Sequence, residues 1–269
     1  MRVELKRKRW LLVVGGIVLL LALVLILWRT VAQPRDHFWE NIEQTGVWRV
    51  AMDPSFPPFE SLDPEGRPVG YDVDLARAIA ARWGVEASIE GVGFDGLVDA
   101  VWAGSVDTAL SALPYQPQFS QNVAFSRPYF EAGLMLVAAP DRPELNSLDD
   151  LSGMRVAVEW GSEGDLQARA LRRESPDVII LPQETAQQAL QVVADGDADA
   201  ALVDRISALQ FPGSGQLRLV EEPVVSDPYV LVMPRKTPIL QAQVDEALQA
   251  LQEDGTLAAL QARWFGGSQ

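Results

Sequence analysis

The sequence predicts an α/β protein built from two lobes of similar design behind one apolar N-terminal segment. Three observations lead there. From residue 47 onward, strand-like runs rich in Val, Ile, Leu and Ala alternate with helical stretches, the pattern of an α/β fold. A helix followed by GSVD (104–107), a strand and Ser111 is echoed by a helix followed by GDAD (196–199), a strand and Asp204, which suggests one plan used twice. Finally, residues 10–28 (WLLVVGGIVLLLALVLILW) carry no charge and follow Arg2, Lys6, Arg7, Lys8 and Arg9.

The apolar run comes first in the chain. At roughly 1.5 Å per residue it reaches about 28 Å, near the hydrocarbon thickness of a bilayer. Trp10 and Trp28 stand at its ends, as interfacial anchors do, and the basic cluster before it places the N-terminus in the cytoplasm. The expectation is a single-pass membrane protein: a cytoplasmic stub (1–9), a transmembrane helix (10–28), a polar linker (29–45) and an extracytoplasmic domain (46–269). A cleaved signal peptide is the competing reading, since Thr30-Val31-Ala32 also fits a cleavage site.

Composition removes several chemistries. With 269 residues, 48% of them hydrophobic and 22% charged, the chain can bury a substantial core. It has no cysteine, so thiolate catalysis, disulfides, zinc–thiolate sites and a lipid-bearing cysteine are excluded. A single histidine, His37, makes a Ser-His-Asp triad or a histidine metal cluster a poor fit. The net charge of −15 sets the body against nucleic acid. No phosphate-binding glycine motif is present, and no cofactor is expected.

The exported part opens with a strand at 47–52. It runs into DPSFPPF (53–59), where three prolines forbid both helix and central strand. That stiff loop displays Asp53 and Phe56 past a strand end, with Phe59 turned to the core. DPEG (63–66) reads as a turn. Asp72 is expected to cap a helix whose apolar face is Leu75, Ala78, Ile79 and Trp83, with Gly84 past its end. Strands follow at 85–92, 106–110 and 133–138, with a short helix at 97–103. The second half repeats the scheme, with strands at 154–159, 178–181 and 199–203, a helix from Ser162 through Arg172 and another at 185–194. Thr237-Pro238 starts a closing helix and DGTL (254–257) a last one. In an open α/β sheet ligands bind beyond the carboxyl ends of strands, which points to the loops after Met52, Leu110 and Val203.

In order, DPSFPPF (53–59), GYDVDL (70–75), FDGL (94–97), FSRPY (125–129), SLDDLSG (147–153), RVAV (155–158), AALVD (200–204), DGTL (254–257) and Trp264-Phe265 resemble the bacterial extracellular solute-binding proteins of family 3, the polar amino-acid-binding components of ATP-driven importers. The resemblance spans about residues 46–266. It implies a two-lobed, periplasmic-binding-protein-like fold with the ligand in a cleft between lobes, lobe one at 46–131 and 227–269 and lobe two at 132–226, hinged near Glu131 and Asp227. It implies a monomer that delivers a small amino acid or amine to a membrane permease and performs no chemistry.

Carried over position by position, the resemblance assigns ligand contacts to Asp53, Phe56, Phe94, Ser111, Ala112, Pro114 and Asp204, the last as receiver of an ammonium group. Two departures stand out. The arginine that clamps a ligand carboxylate in the family is replaced by Phe119, and Glu159, Trp160 and Glu163 occupy positions that are usually neutral. Together they favour a cationic ligand that lacks a free α-carboxylate or carries excess positive charge over an ordinary amino acid. A sensor module signalling through a membrane partner, and a dehydratase-type enzyme with Glu159 or Glu163 as general acid, are the alternative functions.

Overall fold

Two five-stranded sheets carry the chain in the computed structural model, which describes residues 36–266. The apolar run at 10–28, and with it the expected transmembrane helix, lies outside the described residues. Among the described residues no helix is long and apolar enough to cross a membrane.

In spatial order the first sheet holds Glu86–Gly91, Val47–Met52, Thr108–Ala109, Val232–Pro234 and Val123–Phe125. The second holds Ile179–Gln183, Arg155–Glu159, Ala200–Asp204, Leu134–Ala138 and Arg218–Leu219. Each contains three parallel strands arranged second, first, third by sequence, so the echo read from sequence is a repeated topology.

The repeat extends to side chains. Asp107 accepts the amide of Arg49 (2.9 Å) and pairs with its guanidinium (2.6 Å), while Arg49 also reaches the Ser105 carbonyl (2.7 Å). Asp199 accepts the amide of Arg155 (2.9 Å) and pairs with its guanidinium (3.1 Å), while Arg155 reaches the Asp197 carbonyl (2.7 Å). The GSVD and GDAD segments thus each lock the start of a lobe's leading strand to the strand beside it.

Burial raises the Asp199 carboxyl, but hydrogen bonds from Arg155 and Arg142 outweigh it and leave the pKa at about 2. A carboxyl held below its ordinary value contributes stability that is present above about pH 4 and lost as pH falls to about 2. Asp199→Asn is therefore expected to cost about 1–2 kcal/mol at neutral pH, allowing for the partial exposure of both arginines. Urea unfolding should show the variant and the native chain converging as pH falls from about 4 towards 2; a constant gap between them contradicts this.

The first core gathers Trp48, Val50, Leu75, Ile79, Leu240, Val244 and an aromatic group around Phe59. Phe59 is fully buried, with Tyr71, Phe130, Tyr229 and Phe265 edge-on at 5.0–5.9 Å. The second sheet is covered on both faces, by Leu136, Val156 and Leu202 with their neighbours on one side and by Ala157, Ala189, Leu190 and Ala201 on the other. This is why its central strands read as unbroken apolar runs.

Two strands cross between the lobes. Phe130–Glu131 pairs antiparallel with Pro228–Tyr229, and Leu134 bridges Val225. The Glu131 carboxylate staples the crossing, accepting the amides of Gly133 (2.9 Å) and Asp227 (2.6 Å) and the hydroxyl of Ser226 (2.7 Å).

Three readings need correction. The segment read as linker up to residue 45 ends in a helix, His37–Thr45, that buries Ile42 and sets Trp39 edge-on against Trp83 at 5.1 Å. Its few apolar residues are spaced to meet one surface, which a polar average hides. Asp72 does not cap its helix. Gly70 holds that position, and the Asp72 carboxylate turns inward to accept the Ala112 amide (2.7 Å) and the Tyr129 hydroxyl (2.9 Å). After Asp204 comes an unexpected helix, Arg205–Gln210, whose Ile206 and Leu209 pack against the first lobe's core.

Candidate functional site

Two cavities open at the strand ends, one in each lobe. The first, of about 390 Å³, is lined by Asp53, Ser55, Phe56, Glu60, Phe94, Ser111, Ala112, Pro114 and Tyr229. Six residues expected from the sequence meet here: Asp53, Phe56, Phe94, Ser111, Ala112 and Pro114. The second, of about 520 Å³, includes Glu159, Ser162, Glu163, Gly164, Asp204, Ser226 and Asp227 in its lining, and so gathers three more expected residues. The cavities share no lining residue.

The first wall is set by its loop. The chain folds back on itself, with the Phe56 and Glu60 backbones exchanging hydrogen bonds at 3.0 and 3.1 Å around the cis Pro57–Pro58 bond. Phe56 stacks on buried Phe59 at 5.6 Å and remains 45% exposed; Phe94 is 48% exposed. Asp53 is aimed by the Phe94 amide, which donates to its Oδ2 at 2.8 Å. Its own amide donates to Ser111 Oγ (3.0 Å), and Ser111 Oγ donates to Glu60 Oε1 (2.7 Å). Ala112 adopts φ +44°, a left-handed conformation uncommon for alanine, which turns its amide down to Asp72.

Below this wall lie two buried carboxyls, Glu60 (1% exposed) and Asp72 (fully buried). Burial pushes both upward, and the Asp72 charge adds to the rise of Glu60, whose pKa reaches about 10. Burial and the neighbouring Asp72 thus favour the protonated form of Glu60. Glu60 was not singled out by the sequence reading. Its only signal is an acidic residue placed directly after an aromatic core plug.

The second wall is acidic. Asp204 caps the helix that follows it, accepting the Ser207 amide at 2.8 Å. Ser162 caps the helix Glu163–Glu174 by accepting the Asp165 amide. Gly164 sits where a Cβ would lie 2.2 Å from the Leu202 carbonyl oxygen, so the helix start presses against the strand that delivers Asp204. Burial and Glu131 raise the carboxyl of Asp227. Among the described residues no Lys, Arg or His lines either cavity.

Phe119 and Trp160 line neither cavity. Phe119 ends the turn Pro117–Phe119 and is 38% exposed. Trp160, 72% exposed, donates its amide to the Gln183 carbonyl at 2.9 Å.

This two-lobed scaffold, with a cavity at the strand ends on either side of crossing strands, is that of the periplasmic-binding-protein class. Residues 48–267 match the family model for bacterial extracellular solute-binding proteins, family 3, and the chain belongs to that family. It is 26% identical over 229 residues to the L-cystine-binding protein TcyJ of Escherichia coli strain K12, covering 84% of this chain and 85% of that one. Among solved structures, it is similar to an ancestral cationic amino acid solute-binding protein (TM-score 0.58, 29% identity, 84% of this chain and 98% of that one). An ancestral cyclohexadienyl dehydratase is also similar (TM-score 0.72, 25% identity, 86% of this chain and 97% of that one).

Proposed function

We propose that the chain is the solute-binding component of an ABC importer and that its ligand is a small cationic, amine-bearing solute held between the two walls. The observation that carries this reading is the charge of the walls. Asp53 on one side and Glu159, Glu163, Asp204 and Asp227 on the other face the two cavities with no cationic side chain among their lining residues. Bringing such walls together without a cation costs several kcal/mol in desolvation and repulsion. Phe56 and Phe94 supply faces worth about 0.5–2 kcal/mol each to an ammonium. Phe119 and Trp160, which line neither cavity, are left out of the proposed site.

Family membership supports an extracytoplasmic binding domain. We place the lobes at 46–131 with 227–269 and at 132–226, closing about the Glu131 staple. The run at 10–28 serves as a membrane anchor that holds this monomeric domain beside its permease. We read the chain as a binder rather than a catalyst, despite its likeness to a dehydratase.

The test is a thermal-shift panel of amines, basic, neutral and acidic amino acids. A ligand at about a hundredfold its Kd adds about 2.7 kcal/mol of stability. Amines and basic amino acids should shift the transition. A strong shift with glutamate or a neutral amino acid and none with any amine defeats the cation reading, and turnover of a stabilising compound defeats the binder reading.

A further inference from the structure

Resting on the cationic reading above, we propose that Glu60 is a specificity-determining positioning residue: it fixes the Ser111 hydroxyl as a hydrogen-bond acceptor towards the cleft, so that the first wall takes the donor end of a ligand and refuses a carboxylate.

Three backbone donors of this wall are taken up by its own side chains. The Asp53 amide goes to Ser111 Oγ (3.0 Å), the Ala112 amide to Asp72 (2.7 Å) and the Phe94 amide to Asp53 (2.8 Å). Pro114 has no amide hydrogen. The Ser111 hydroxyl has one proton and directs it to Glu60 Oε1 at 2.7 Å. Ser111 lines the cavity although it is only 1% exposed, and with its proton on Glu60 and one lone pair taken by the Asp53 amide its hydroxyl keeps one lone pair for a ligand. The hydroxyls of Ser55 and Tyr229, each able to donate or accept, complete the lining.

This direction of donation depends on where Glu60 keeps its proton. Among the described residues, Glu60 Oε2 and Asp72 Oδ1 are buried acceptors with no donor. One proton on Glu60 Oε2, given to Asp72 Oδ1, satisfies both and leaves Oε1 free to accept from Ser111. Burial favours that protonated state. The other ionisable groups facing Glu60 are Asp53, Tyr129 and Tyr229. None supplies a positive charge that would ionise it. Among the described residues no charged donor lines this wall.

Two substitutions separate this role from a merely structural one. Glu60→Gln can donate to Asp72 with its amide and accept from Ser111 with its carbonyl, reproducing the pattern. Glu60→Met fills similar space but frees the Ser111 proton to turn into the cleft. The probes are cadaverine and L-lysine, which differ by one carboxylate, titrated calorimetrically into the full chain in mild detergent.

The ratio of cadaverine to lysine affinity should fall about tenfold or more in Glu60→Met, a change of one hydrogen bond's size. In Glu60→Gln it should return to the native ratio. An unchanged ratio in all three proteins overturns the role of Glu60 while the cationic reading stands. A native chain that binds glutamine and neither cation overturns both.

A ligand-free measurement covers the case in which Glu60→Met does not fold. A carboxyl raised in the fold loses stability as pH climbs from its ordinary value towards about 10. Glu60→Gln should therefore melt above the native protein, by a margin that widens from about pH 5 to about pH 9. If Glu60→Gln melts lower across that range, the hydrogen-bond pattern is wrong and the proposal with it.

Discussion

A single methyl group at position 70 is expected to destabilise the first lobe by about 3 kcal/mol or more. Gly70 has φ +143°, and a Cβ there would lie 2.0 Å from the Phe59 carbonyl oxygen and 2.8 Å from Glu60 Cα. Both are backbone atoms, so no side chain can swing aside. The clash falls where the helix Tyr71–Trp83 docks on the loop, through Tyr71 N–H to the Pro58 carbonyl and Asp72 N–H to the Phe59 carbonyl, each at 2.9 Å. Gly70→Ala must therefore push Phe59 away from its aromatic group or lift Asp72 from Ala112 and Tyr129. Chemical denaturation reads the loss directly. A penalty below about 1 kcal/mol would show that the loop is far softer than its packing implies.

The same region shows how far the sequence was legible. The prolines of 53–59 announced a rigid loop at a strand end, and Asp53, Phe56, Phe94, Ser111, Ala112 and Pro114 do line one cavity. Their positions follow from local chemistry and from the strand–helix rhythm, both of which act over a few residues. Glu60 and Asp72 were out of reach because their role is non-local. Asp72 meets Ala112 and Tyr129 across 40 and 57 residues, and at a helix start an aspartate is ordinarily a cap. The helix Arg205–Gln210 was missed for a different reason. Six residues give less than two turns of periodicity, and its formation rests on the Asp204 cap and on Ile206 and Leu209 meeting the other lobe. Phe119 and Trp160 were placed by alignment to motifs. The turn at Pro117 and the exposed strand end at Trp160 leave them off both walls.

The second large effect concerns Asp204, whose two roles can be separated. Asparagine caps a helix about as well as aspartate, so Asp204→Asn should keep the Ser207 hydrogen bond and leave the unliganded melting temperature nearly unchanged. What it removes is one charge of the acidic wall. A charge-assisted hydrogen bond to an ammonium is worth about 1.5–3 kcal/mol, so affinity for a cationic ligand should fall by roughly 10- to 100-fold. The loss should shrink at high salt less than it would for an exposed pair, since closure takes the site out of water. Unchanged affinity would remove Asp204 from the site. A lowered melting temperature without ligand would mean that asparagine does not replace the cap, and Asp204→Ser would then be needed to restore it.

Glu131 adds a constraint on closure. Its three hydrogen bonds hold Gly133, Ser226 and Asp227 together at the crossing, next to the second wall. Gly133, Ser226 and Asp227 also line the second cavity, so under the proposed function a bound cation would lie close to this staple.

Under the proposed function the cleft selects for positive charge and against a carboxylate. The most direct measurement of this is the affinity of the native chain for cadaverine and for L-lysine, titrated side by side. Cadaverine should bind at least as tightly as lysine, because the donors of Asp53, Ser111 and Ala112 are taken up within the first wall and the second wall is lined by carboxylates. Lysine binding about ten times more tightly than cadaverine would mean that the cleft holds a carboxylate after all.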